Sequence, residues 1–201
     1  MLDRAFALWH LPDVDELLDA LVAKGPDHPD VKDEKLPYWA EIWPSSRALA
    51  CALARDPARC AGKSVIELGC GPGLAGVVAL ALGAEVLFTD WMPEALELSA
   101  LNARENLDVQ ARTRLVDWRH PPEDLRADVL LASDCTYEAR FFADLYRCFD
   151  QLLLPGGRVL LAEPGRSVAK GFFLGLPDRG FCVVQLPLEE DLPAVWEITR
   201  A

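Results

Sequence analysis

Basic residues are in short supply. The chain has 201 residues, and its 32 Asp and Glu outnumber 20 Lys and Arg, for a net charge of −12. Such a surface repels phosphate backbones and excludes general nucleic-acid binding, yet suits a cationic partner such as a lysine-bearing protein segment. Histidine is scarce too. His10, His28 and His120 lie far apart, and none sits at ligand spacing from a cysteine, so no metal site is expected. The six cysteines, at 51, 60, 70, 135, 148 and 182, form no CxxC pair. They are expected to be reduced thiols of a cytoplasmic protein with no secretory leader. Cys51, Cys148 and Cys182 fall in apolar runs and read as small core residues. No apolar run is long enough to cross a bilayer, so no membrane association is expected. There is no internal repeat and no low-complexity tract.

Apolar residues make up 51 % of the chain, enough for one well-buried domain. Residues 1–45 differ from the rest and are read as an N-terminal helix and aromatic segment packed on a main domain over 46–201. In the first part, helical spacing covers 14–23 behind Asp13 as a cap, 24–35 reads as a loop, and 36–46 is aromatic between prolines. A capped helix is expected from Ser45 to Arg55. Beyond residue 63, strands at 64–68, 84–89, 112–116, 127–133 and 157–163 alternate with helices at 73–82, 93–106, 140–154 and 167–176. That alternation predicts an α/β fold, a Rossmann-like doubly wound sheet with helices on both faces. The runs at 129–132 and 159–162 are continuously apolar, as strands covered on both sides should be. The β-like runs 181–186 and 194–199 have no helix between them, so the mostly parallel sheet should end in an antiparallel hairpin.

The richest stretch runs from Val65 to Leu74, VIELGCGPGL. An apolar strand delivers Glu67, and Gly69, Gly71 and Gly73 turn the chain into a helix. Glycine lets the backbone take positive φ and lie directly against a ligand. Gly71 to Gly76 matches GxGxxG, and Asp90 ends the next strand, so a dinucleotide cofactor is one reading. Against it, Glu67 beside the loop would repel a pyrophosphate and attract an ammonium or sulfonium. Asp117 follows the third strand, which puts three acids on one rim at the strands' carboxyl ends. This set suits S-adenosylmethionine, with Glu67 toward the methionyl ammonium directly or through water, Asp90 on the ribose hydroxyls, Asp117 on the adenine amine and Trp118 beside the ring.

With those residues in view, the chain resembles the class I S-adenosylmethionine-dependent methyltransferases over roughly residues 36–200. Four further segments are similar to the electron-transfer-flavoprotein β-subunit lysine methyltransferases and their bacterial relatives. They are Pro37–Pro44 (PYWAEIWP), Leu101–Asn106 (LNAREN), Ser133–Glu138 (SDCTYE) and Glu163–Arg166 (EPGR), where Glu replaces the family's Asp. The resemblance implies methyl transfer to nitrogen, with a protein lysine or a small-molecule amine as acceptor. It implies Trp43 near the methionine end of the cofactor and Ser133 on the cofactor side; Trp91 and Met92, which follow Asp90, are read at the adenine edge or as a hydrophobic plug. Asp134 and Tyr137 are the implied catalytic residues. Asp134 is read as positioning the amine or accepting its proton, and Tyr137 as orienting it by hydroxyl or walling the channel by ring. Trp39 reads as core, and Arg166 as pairing with Glu163 or holding a substrate carboxylate. The acceptor's identity, the oligomeric state and the role of residues 1–35 stay open.

Overall fold

The computed structural model describes residues 4–201. Seven strands form one sheet: β1 (Ser64–Leu68), β2 (Glu85–Asp90), β3 (Arg112–Leu115), β4 (Ala127–Ser133), β5 (Leu153–Glu163), β6 (Phe181–Gln185) and β7 (Ala194–Arg200). Their order is β3-β2-β1-β4-β5-β7-β6. The first five are parallel, and β7 enters antiparallel to both β5 and β6. Here β6 and β7 form the hairpin anticipated from the sequence.

Because side chains alternate along a strand, each core strand feeds two cores. Val65, Val129, Leu131 and Leu160 point to one face, where they meet helices α3 (Pro44–Arg55), α4 (Leu74–Ala81) and α5 (Pro93–Leu107). Ile66, Leu130, Val159 and Leu161 point to the other, against α6 (Phe142–Leu152) and α7 (Ala169–Gly175). Leu49, Leu53, Phe149 and Phe172 close these layers with no exposure. Removing any one to Ala would cost about 2–5 kcal/mol, since close-packed neighbours relax only partly.

The N-terminal part lies over one end of this sandwich. Helix α1 (Val14–Ala23) is capped by Asp13, whose Oδ1 accepts from the Asp15 and Glu16 amides. The stretch expected to be a loop contains a short helix, α2 (Pro29–Lys32), started by Pro29 behind His28. A 3₁₀ turn, Pro37–Ala40, then leads to α3. Trp9 and Asn102 exchange hydrogen bonds of 2.7 and 3.0 Å, which ties the extended leader to α5.

Local structure departs from the sequence pattern at several points. Ser45 does not cap α3: Trp43 is the cap, Pro44 supplies the first helical position, and Ser45 turns inward with no exposure. Helix α6 stops at Leu152, and 153–156 belongs to β5 rather than to a helix end. Pairing with β4 jumps from Ala127–Leu153 to Val129–Arg158, so the Pro155-Gly156 pair bulges out of the strand. Of the three cysteines read as core, only Cys148 is buried. Cys51 faces outward on α3, and Cys182 sits on the edge strand β6.

Candidate active site

In a parallel sheet the strands' carboxyl ends share one rim, and sheet order fixes who neighbours whom. Along this rim come Asp117 after β3, Asp90 ending β2, the glycine loop after β1, Asp134 after β4 and the Glu163–Arg166 turn after β5. They border one cavity of about 450 Å³, roofed by residues of the segment 34–46. That volume lies in the range of small-molecule sites, roughly 300–1,000 Å³.

The glycine loop is shaped by contact as much as by conformation. Gly71 and Gly73 hold φ of +50° and +79°, which disfavours side-chain-bearing residues. A Cβ on Gly71 would stand 3.0 Å from the Trp39 carbonyl oxygen, and one on Gly73 2.7 Å from Ser99 Cβ. The loop is thus clamped between the roof and α5.

Asp90 is buried, and its two oxygens are aimed by the backbone. Gly71 N–H donates to Oδ2 at 3.1 Å and Met92 N–H to Oδ1 at 3.0 Å. Burial pushes its carboxyl up to about 6, against those amide hydrogen bonds, which favour the charged form. Each oxygen keeps a lone pair for a ligand hydroxyl.

Glu67 lies deeper than expected. Its Oε2 accepts from Gly76 N–H at 3.0 Å, while Oε1 is buried with no partner. Burial raises this carboxyl to about 8, with the nearby Asp90 adding to the rise. Neither Glu67, Gly73 nor Met92 lines the cavity. Helix α4 starts immediately after the loop, and its Gly76 amide draws the carboxyl beneath the loop. Direct contact between Glu67 and a ligand in the cavity is therefore not how this side chain is arranged.

The remaining expected residues do line it: Trp43, Gly69, Gly71, Trp91, Asp117, Trp118, Ser133, Asp134 and Tyr137, with Asp90. Asp117 arrives already engaged. Arg119 Nε and Nη2 hold its carboxylate at 2.7–3.0 Å, and Nη1 reaches Asp33 at 3.0 Å. Partial burial opposes ionisation of Asp117, but the Arg119 bonds outweigh it and hold the carboxyl below its usual range. The arginine also sits 5.8 Å from the centre of the Trp91 ring. Arg119 and its partner Asp33, like Arg140, which bridges Glu34 and Glu138, were missed from sequence. Arg119–Asp33 and Arg140–Glu34 join residues about a hundred positions apart, and spacing carries no signal for them.

Toward β4 and β5 the wall changes character. Asp134 takes φ +57°, a left-handed conformation tolerated by Asp, and its amide donates to the Ala162 carbonyl at 2.9 Å. Arg166 pairs with Asp134 Oδ1 through Nε and Nη2, both at 2.9 Å, and not with the Glu163 side chain as expected. Glu163 instead accepts from the Gly165 and Arg166 amides at 2.7 Å. Tyr38 meets Trp43 and Tyr137 edge to face at 5.9 and 5.8 Å. Trp39 is half-buried and lines the cavity; it is not core. Burial pushes the Tyr137 phenol well up, so it stays protonated, with an O–H to donate and a ring to pack.

A seven-strand sheet of this order, a glycine loop over a buried acid and a rim of carboxylates together define a class I S-adenosylmethionine-dependent methyltransferase. The residues fit that cofactor: backbone-aimed oxygens on Asp90 suit a vicinal diol, and the carboxylate rim suits a cationic ligand and would repel a dinucleotide pyrophosphate. A family model described as lysine methyltransferase matches residues 33–178, and the chain belongs to that family. It is 32 % identical over 152 residues to protein N-lysine methyltransferase METTL21A of Xenopus tropicalis, covering 73 % of this chain and 70 % of that one. It is 31 % identical over 133 residues to the electron transfer flavoprotein β-subunit lysine methyltransferase of Danio rerio, covering 65 % of this chain and 51 % of the relative. In fold it is similar to magnesium protoporphyrin IX methyltransferase of Synechocystis PCC 6803, solved with bound cofactor, at a TM-score of 0.62 and 16 % identity over 92 % of this chain and 90 % of that one.

Proposed function

We propose that this enzyme methylates the side-chain amine of a lysine in a protein. One observation carries the reading: a single cavity is bordered by Gly71 and Asp90 at the β1–β2 part of the rim, and by Asp134 and Tyr137 after β4. Donor and acceptor would then meet on adjacent strand ends. S-adenosylmethionine, when bound, supplies an electrophilic sulfonium methyl group.

This chain's residues do the rest. Asp90 holds the ribose hydroxyls, and Trp91, Asp117 and Trp118 border the adenine. Gly69, Gly71, Trp43 and Ser133 line the methionine part. Glu67 acts beneath the loop, reaching the ammonium only through water; Gly73 seats the loop on Ser99, and Met92 orients Asp90 by its amide. Asp134 accepts a hydrogen bond from the acceptor amine and orients its lone pair; orientation of this kind supplies much of the rate in a displacement. Tyr137 donates or walls the channel. The rim acids Glu34, Glu41 and Glu138 attract a cationic side chain and disfavour nucleic acid. Residues 34–45 serve as part of the roof over a main domain of 46–201, and the enzyme acts in the cytoplasm. Among the described residues no helix is long and apolar enough to cross a membrane.

The test is methyl transfer from labelled S-adenosylmethionine to electron transfer flavoprotein β-subunit, calmodulin and ribosomal protein L11, beside a protein-free lysate fraction. The expected result is label in protein that hydrolyses to methyl-lysine. Label confined to small molecules would establish a small-molecule amine as acceptor instead.

A further inference from the structure

Resting on that reading and going beyond it, we infer that Arg166 is a positioning residue acting through Asp134: pairing cancels the carboxylate's charge, so the site takes the acceptor amine in its neutral, nucleophilic form.

A lysine amine ordinarily titrates near ~10.4 and is almost wholly protonated at pH 7. A lone carboxylate beside it would deepen that problem, because an opposite charge stabilises the ammonium. Here Asp134, 9 % exposed, is not alone. Both Arg166 contacts fall on Oδ1. Oδ2 faces only the Ser45 hydroxyl at 3.5 Å, a weak contact that leaves it free to accept an N–H. The acceptor therefore meets a hydrogen-bond acceptor inside a neutral ion pair. Lowering an amine's basicity with a neighbouring cation is an established way to activate it.

The turn makes this arrangement rigid. Glu163 binds the Gly165 and Arg166 amides, and the guanidinium lies 5.9 Å from the Trp43 ring centre. The other groups facing the pair do not cancel it. Ser45 on α3 is neutral, and burial keeps the Cys135 thiol and the Tyr137 phenol protonated. Glu163 is turned to the backbone. Glu34 and Glu138 share Arg140, and Glu41 is exposed on the roof. These outer acids draw an ammonium to the rim. At the Asp134–Arg166 pair, whose guanidinium is partly exposed, its N–H bond breaks, the proton passes to water at the rim, and the lone pair stays on nitrogen.

The experiment titrates n-butylamine, which carries the lysine amine on a four-carbon chain, into the protein saturated with S-adenosylhomocysteine. Binding is followed by protein NMR between pH 7.5 and 9.5. Wild type and Arg166→Lys should bind at least about tenfold more tightly at the upper pH, as the neutral amine becomes available. Arg166→Gln should bind more tightly than wild type at pH 7.5 and change little with pH, because it accepts the ammonium. A rise with pH in Arg166→Gln as steep as in wild type, or no rise in wild type, would overturn the proposal. Should Arg166→Gln lose S-adenosylhomocysteine binding, Asp134→Asn/Arg166→Gln replaces it. That uncharged pair must keep the wild-type rise, and a flat profile counts against the inference. Failure of the lysine reading shows separately, as absence of protein label in the methyl-transfer panel.

Discussion

The two parts of the cavity are built by different means. The part over β1 and β2 is made of backbone: glycines pressed against Trp39 and Ser99, and an acid whose oxygens are aimed by the Gly71 and Met92 amides. The part beyond β4 is made of side chains joined across long stretches of sequence, through Arg166–Asp134 and Arg140–Glu34, while the Arg119–Asp33 bridge lies at the opposite end of the rim, after β3. Backbone construction couples the β1–β2 part to folding. Side-chain construction lets the geometry beyond β4 vary while the fold stands, which suits a family whose members differ in what they methylate.

The largest effect that separates the two is expected at Gly76. A Cβ there would stand 2.3 Å from Phe88 Cε1 and 2.4 Å from Glu67 Oε2. Gly76→Val should cost about 3 kcal/mol or more in urea unfolding through overpacking, and should take cofactor binding with it. Should it lose binding with stability unchanged, the coupling of loop to core would be wrong.

A smaller, pH-dependent effect is expected at Glu67. Its folded-state value, about 8 against an ordinary 4.5, lies above the unfolded one. Such a group binds protons on folding, so its contribution is complete below the unfolded value and is lost as pH rises toward 8. The ligand-free protein should therefore melt at lower temperature at pH 8 than at pH 5. Glu67→Gln should flatten that slope by about 5 °C, read by calorimetry. An unchanged slope would mean that Glu67 is ionised throughout.

The same contrast explains what was legible in the sequence. Strand runs such as 129–132, the three positive-φ glycines and the acid at the end of β2 announce themselves locally, because each follows from one element's own pattern. The downward turn of Glu67 does not, since it depends on where α4 places the Gly76 amide. Nor does the choice of Arg166 between Glu163 and Asp134, which the backbone amides decide by claiming Glu163 first. Trp39 passed for core because an aromatic between prolines looks the same whether it covers a core or roofs a cavity.

The smallest effect is expected at the Arg119 bridge. Arg119→Ala frees Asp117 and unpins Asp33, both solvent-accessible, so S-adenosylhomocysteine affinity should fall only about two- to tenfold. The loss should shrink as salt is raised, because salt already screens the wild-type bridge. A hundredfold loss would move this ion pair from the rim into the binding machinery.

The most direct test of the division is calorimetric titration of S-adenosylhomocysteine into Asp90→Ala and Asp134→Ala, with turnover measured on the protein that takes label. Asp90→Ala should lose about a hundredfold or more in affinity, because two aimed hydrogen bonds to the ribose disappear from a buried site. Asp134→Ala should stay within about threefold of wild type in affinity while turnover falls about a hundredfold. Equal losses of affinity in both variants would contradict the separation of a backbone-built cofactor site from a side-chain-built acceptor site.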